Sequence, residues 1–150
     1  MDDNSGADGE EDQYWIYSGD GRVPHDATHV RVSDDVTVLR VSYGDGGELR
    51  ASAFFRRERL AAVELHEGLV EIGRSAFYSC KSLECVRIPS SVTTVGGYAF
   101  LQCSKLSHVE FPEDSRVGAI MDCAFEECVS LREIKLPRSL SFLGDIAFAR

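Results

Sequence analysis

The chain has 150 residues, 43% of them hydrophobic, and a formal net charge of −9 from 25 acidic and 16 basic residues. That length suits one domain with a continuous core. The acidic balance argues against nucleic acid as a partner, since its binding needs a basic footprint. The absence of any 18-residue apolar stretch argues against a transmembrane helix or a membrane partner.

Residues 1–13 read as a disordered acidic tail, with Asp2, Asp3, Asp8, Glu10, Glu11 and Asp12 among them. Without these six acids the rest carries 19 acidic against 16 basic residues, close to balance. An acidic start is the opposite of a secretory signal, so the expected setting is intracellular, in the cytoplasm. Residues 14–26 follow as an N-terminal cover. Tyr14-Trp15-Ile16-Tyr17 is the one aromatic cluster, and a solenoid needs something to close its first unit; a ligand-stacking patch is the sharper alternative.

From residue 27 onward the sequence repeats itself. Leu60 to Ser82 and Leu83 to Lys105 match at a period of 23 residues, the mark of a stacked-repeat architecture. Five units are expected: 27–59, 60–82, 83–105, 106–130 and an incomplete 131–150. Each carries a period-2 apolar pair, Val30 and Val32, Val63 and Leu65, Val86 and Ile88, Val109 and Phe111, Ile134 and Leu136, predicting a short strand with both side chains on one face. Pro89, Pro112 and Pro137 end the strand. A second apolar pair follows, such as Val92 and Val95. Gly73, Gly96 and Gly144 stand after it, where a positive φ is expected, although Arg40 and Met121 hold the same slot. An Ala-Phe pair closes every unit: Ala53-Phe54, Ala76-Phe77, Ala99-Phe100, Ala124-Phe125 and Ala147-Phe148. Unit one carries an insertion of about ten residues between Leu39 and Ala53, and unit four carries two extra residues between Pro112 and Val117.

The insertion holds Gly44-Asp45-Gly46-Gly47. It lacks the following helix and lysine of a phosphate loop and the alternating oxygens of a calcium loop. It reads as a flexible loop and a candidate partner contact. Phe55-Arg56-Arg57-Glu58-Arg59 is the most basic run and is expected in an exposed turn.

The pattern L-x-x-V-x-L-P-x-x-V-x-x-I-G-x-x-A-F-x-x-C resembles the BspA-like leucine-rich repeats, over residues 27–150. The resemblance implies a leucine-rich-repeat solenoid: right-handed, built of short parallel strands and turns with few or no long helices, and used for protein or adhesive binding. The chain departs from that pattern in the long first unit and in Arg57, which stands where cysteine is expected. It also lacks the asparagine ladder of more familiar leucine-rich repeats, since its one asparagine is Asn4.

Cys80, Cys103 and Cys128 fall in one column and read as a buried stack of reduced thiols; Cys85 and Cys123, outside it, are expected to be more exposed. Spacings of 23 and 25 residues do not make a metal site, and no cofactor is implied. His29, His66 and His108 are expected on strands, with Cys85 and His108 facing the same way on adjacent ones. That is the best catalytic constellation, yet no group is visible to orient the histidine, and no catalytic residue is assigned.

The outward strand positions Arg31, Glu64, Arg87, Glu110 and Lys135 alternate in sign, predicting a ladder of opposite charges. With His29, His108 and Glu133 they form the candidate partner-binding face, and no exposed aromatic is expected in the alternating column. The function expected is a protein-interaction module with a protein partner. A structural solenoid segment or fragment of a longer repeat protein is the alternative, and an enzyme is a distant third. The last unit has inward residues with nothing to cover them, so self-association through the C-terminal end, or continuation by further repeats, is expected.

Overall fold

A computed structural model describes residues 14–40, 42–43, 49–50 and 52–150. The acidic tail and the Gly44–Gly47 loop lie outside the described residues. The strands are β1 (Trp15–Tyr17), β2 (His29–Val32), β3 (Val38–Leu39), β4 (Ser42–Tyr43), β5 (Leu49–Arg50), β6 (Ala62–Glu64), β7 (Glu71–Ile72), β8 (Cys85–Arg87), β9 (Thr94–Val95), β10 (His108–Glu110), β11 (Ala119–Ile120) and β12 (Phe142–Leu143). The described residues contain no helix, and so none long and apolar enough to cross a membrane.

The chain is a leucine-rich-repeat solenoid with parallel strands on two of its sides. On one side β1, β2 and β6 pair in parallel, and β8 and β10 continue the stack as a second pair. On the other, β3, β7, β9, β11 and β12 form one five-stranded parallel sheet. The insertion leaves unit one as the antiparallel pair β4 and β5. The first period-2 pair does what its spacing demands: Val30 and Val32 are buried while Arg31 between them is exposed. The strands stay short because a turn follows each, as where Val92 N–H donates to the Pro89 carbonyl (3.1 Å).

The third side is made of turns, and its backbone also bonds from unit to unit. Phe77 N–H donates to the Ala99 carbonyl (2.7 Å), Phe100 N–H to Ala124 (2.7 Å) and Phe125 N–H to Ala147 (2.7 Å). Aiming these groups along the stack needs left-handed residues beside each Ala-Phe pair. Ser75, Tyr98, Cys123 and Ile146 precede the pair, and Arg56, Ser79, Gln102 and Glu127 follow it, all with φ between 48° and 61°. None is glycine; at all but Ile146 the residue's N–H donates to a carbonyl of the next unit, so hydrogen bonding between units holds a conformation that local sterics disfavour.

Gly73, Gly96 and Gly144 do not have positive φ, contrary to expectation; the only positive-φ glycines among the described residues are Gly19 and Gly21. Close approach requires them instead. A Cβ on Gly96 would sit 2.7 Å from the Arg74 nitrogen and the Gly73 carbonyl carbon, and one on Gly73 would sit 2.2 Å from the Leu39 oxygen. The backbone of the preceding unit occupies the space a side chain would need.

Down the core runs a stack of rings. Phe54, Phe77, Phe100, Phe125 and Phe148 follow one another at centroid distances of 4.8, 5.1, 5.0 and 5.3 Å, and Tyr17 closes the N-terminal end edge-on against Phe54 at 5.3 Å. The N-terminal cover is therefore β1 itself, an added rung whose Tyr17 is buried and whose Trp15 is half-buried.

Unit five departs from expectation. Residues 133–136 form no strand, so Glu133 and Lys135 do not sit on the sheet, and Leu136 and Leu143 are exposed. The unit below is two residues longer between Pro112 and Val117, and the last unit does not lie flush on it there.

Phe77→Ala or Phe100→Ala should lower stability by about 3–5 kcal/mol, read as a fall in the chemical-denaturation midpoint. Gly96→Ala should cost about 1–3 kcal/mol through overpacking, while Met121→Ala, at an exposed position in the equivalent slot, should move the melting temperature little.

Candidate functional site: the outward strand face

Two columns of side chains stand outside the first sheet. One runs Ile16, Arg31, Glu64 in β1, β2 and β6, then Arg87 and Glu110 in register on β8 and β10. The other starts at Tyr14, passes His29 and its register partner Ala62, and continues with Cys85 and His108, partners on β8 and β10. Strand alternation puts all of these on one face because their neighbours point into the core.

The charges do not form one continuous ladder. Arg31 Nε donates to Glu64 Oε2 at 2.6 Å and Arg87 donates to Glu110 at 2.7 Å; no ion pair joins Glu64 to Arg87 or Glu110 to Lys135 among the described residues. The break coincides with the break in strand pairing between β6 and β8. The hydrogen bond from Arg31 holds the Glu64 carboxyl below its ordinary range. Both pairs are exposed and screened by solvent, so they contribute little to stability.

A half-buried aromatic sits on this face, in the column beside the charges; the sequence reading places Tyr14 only in the N-terminal cover. The Arg31 guanidinium lies 5.1 Å from the Tyr14 ring centroid, and that ring meets His29 edge-on at 5.8 Å. The signal was available: Trp15 and Tyr17 alternate with Tyr14 and Ile16 as Val30 and Val32 alternate with His29 and Arg31.

Cys85 and His108 are exposed on adjacent strands, but His108 Nδ1 faces the Ser107 hydroxyl at 2.8 Å rather than a carboxylate. His66 lies past the end of β6, with Nε2 on the Val36 carbonyl at 2.8 Å and Nδ1 3.8 Å from Asp34, so it is a turn residue and not a strand residue. Among the described residues no cluster of three or more His, Cys, Asp or Glu could hold a metal ion.

The cysteine column is buried and unpaired. Each thiol donates to the phenylalanine carbonyl of the unit before it: Cys80 to Phe54, Cys103 to Phe77 and Cys128 to Phe100, all at 3.1 Å. Burial pushes the Cys80 and Cys128 thiols up to about 12 and Cys103 well above its ordinary 9.0. Cys123, expected to be more exposed, is buried at 6% exposure; Cys85 is exposed. Arg57, expected in an exposed turn, is 2% exposed. It takes the cysteine's slot in unit one and hydrogen-bonds the Val23 and Phe55 carbonyls, tying the N-terminal segment to the first unit.

At the far end of the face β10 borders a groove of about 790 Å³, lined by His108, Val109, Glu110, Arg132, Ile134 and Lys135 among others. Four expected face residues meet here: His108 and Glu110 on β10, and Glu133 and Lys135 opposite them.

The family described as "BspA type Leucine rich repeat region" matches residues 47–150 in six copies. The chain belongs to that family. Among solved structures, a leucine-rich repeat protein of T. pallidum is similar at 32% identity, covering 71% of this chain and 50% of that one with a TM-score of 0.55. A leucine-rich cell surface protein of Faecalibacterium prausnitzii is similar at 26% identity, covering 81% and 36% with a TM-score of 0.53. The pneumococcal vaccine antigen PcpA shares the fold at 22% identity, covering 89% and 31% with a TM-score of 0.61. The chain thus spans half or less of each of these proteins. No curated protein matches it.

Raised thiol pKa values mean the folded state keeps protons that the unfolded chain releases. The stability they confer is intact below about pH 9 and is lost as pH rises towards about 12. Denaturation midpoints should fall over that range, less steeply in Cys103→Ala, and native alkylation near neutral pH should modify Cys85 alone.

Proposed function

We propose that the chain is a non-catalytic protein-interaction module that meets a protein partner with the outward face of β1, β2, β6, β8 and β10. The observation that carries this reading is the arrangement at the head of the face. Tyr14 is held over Arg31, and Arg31 is held by Glu64. A preordered aromatic beside a fixed charge is the composition that dominates protein interfaces. The remaining charges, Arg87 with Glu110, give register and steering more than affinity.

Membership of a repeat family supports a binding surface over a reaction centre. Cys85 and His108 share a face, but the histidine's Nδ1 lies on the hydroxyl of the adjacent Ser107 rather than on a carboxylate. The setting we read for the chain is intracellular, where an exposed unpaired Cys85 stays reduced.

The test is partner capture with two sets of variants. Tyr14→Ala and Arg87→Glu should each weaken retention of a captured protein by about tenfold or more, whereas Arg74→Glu on the turn side should leave it unchanged. Equal loss from the turn-side variant, or none from the face variants, refutes the assignment of this face.

A further inference from the structure

We infer that the edge of β10 takes an additional strand: an extended, acidic segment of a partner protein lies between β10 and residues 132–135. This rests on the interaction reading above and specifies the chemistry of the partner at one end of the face.

The last unit is docked on two sides and open on the third. On the second sheet Ser141 N–H donates to the Gly118 carbonyl (2.9 Å) and Gly144 N–H to Ile120 (2.8 Å). On the turn side Phe125 N–H and Glu127 N–H donate to Ala147 (2.7 Å) and Ala149 (2.8 Å). On the first sheet, no backbone hydrogen bond crosses from residues 132–136 to residues 107–111 among the described residues. One unit earlier that gap is bridged, with Ser107 N–H on Glu84 and Ile88 N–H on Glu110, both at 2.9 Å. Unpaired backbone groups at a sheet edge are a template for pairing with another extended backbone.

The groove sets the side-chain chemistry of the occupant. Its wall holds Val109, buried in β10, and half-buried Ile134, so the incoming strand points small apolar residues inward at alternate positions. On the rim, Arg132 and Lys135 belong to no ion pair among the described residues, and Glu110 is already engaged by Arg87. Glu133 is the one rim acid left to oppose two free cations, which favours carboxylates at the outward positions of the added strand.

The probe is a blocked peptide of about eight residues alternating valine and glutamate, a length typical of strands, added to the full chain. Expected is slowed amide exchange at Val109, whose backbone faces the open edge while that of Glu110 is turned to β8, with binding weakened about tenfold or more by Arg132→Glu with Lys135→Glu. N-methylation of alternate peptide bonds, which removes backbone donors and keeps the charge, should abolish the protection. No protection of β10, equal binding of the N-methylated peptide, or a shift of β10 exchange with protein concentration alone would overturn the inference. If a captured partner still depends on Tyr14 and Arg87 while the peptide leaves β10 unprotected, this inference falls and the wider assignment of the face stands.

Discussion

Every part of this protein is referred to the separation between stacked phenylalanine rings. Five rings follow one another at 4.8–5.3 Å, close to the hydrogen-bonding distance between parallel strands, about 4.8 Å. One spacing therefore satisfies ring packing inside and backbone pairing outside. Offset rings add roughly 0.5–1.5 kcal/mol per pair beyond their burial. The alanine before each ring lets the backbone come close enough for the turn side to bond as well.

The same spacing explains the odder residues. Glycine is needed at 73, 96 and 144 because the unit beneath intrudes on the Cβ position. Polar residues hold left-handed φ at Ser75 and Ser79 because their N–H groups donate to carbonyls of the following unit. The cysteine column places a small side chain with a weak donor next to a phenylalanine carbonyl that the turn leaves available. Unit one has no unit before it to supply that carbonyl, and Arg57 reaches further, to Val23 in the cover.

Stacking also shapes the outward face. Strand alternation gathers one residue from each unit into a column, so side chains 23 residues apart become neighbours. Whether neighbours pair then depends on how closely the strands approach. Arg31 reaches Glu64 and Arg87 reaches Glu110, but the looser step between β6 and β8 leaves Glu64 and Arg87 apart. The loosest step of all, beyond β10, opens the groove.

The repeats, the solenoid class and the core columns were legible in the sequence, because each follows from a local spacing: period 2 for inward and outward strand residues, and 23 for the unit. What spacing cannot convey is the fit between units. The close approach behind the glycines, the buried Arg57, the position of His66 past its strand and the detachment of Glu133 and Lys135 from the sheet all depend on how one turn of chain settles on the next. The placement of Tyr14 over Arg31 belongs with them, since it depends on β1 adding as a further rung. Local pattern determined which residues turn inward; tertiary contact between units decided which of the outward ones meet.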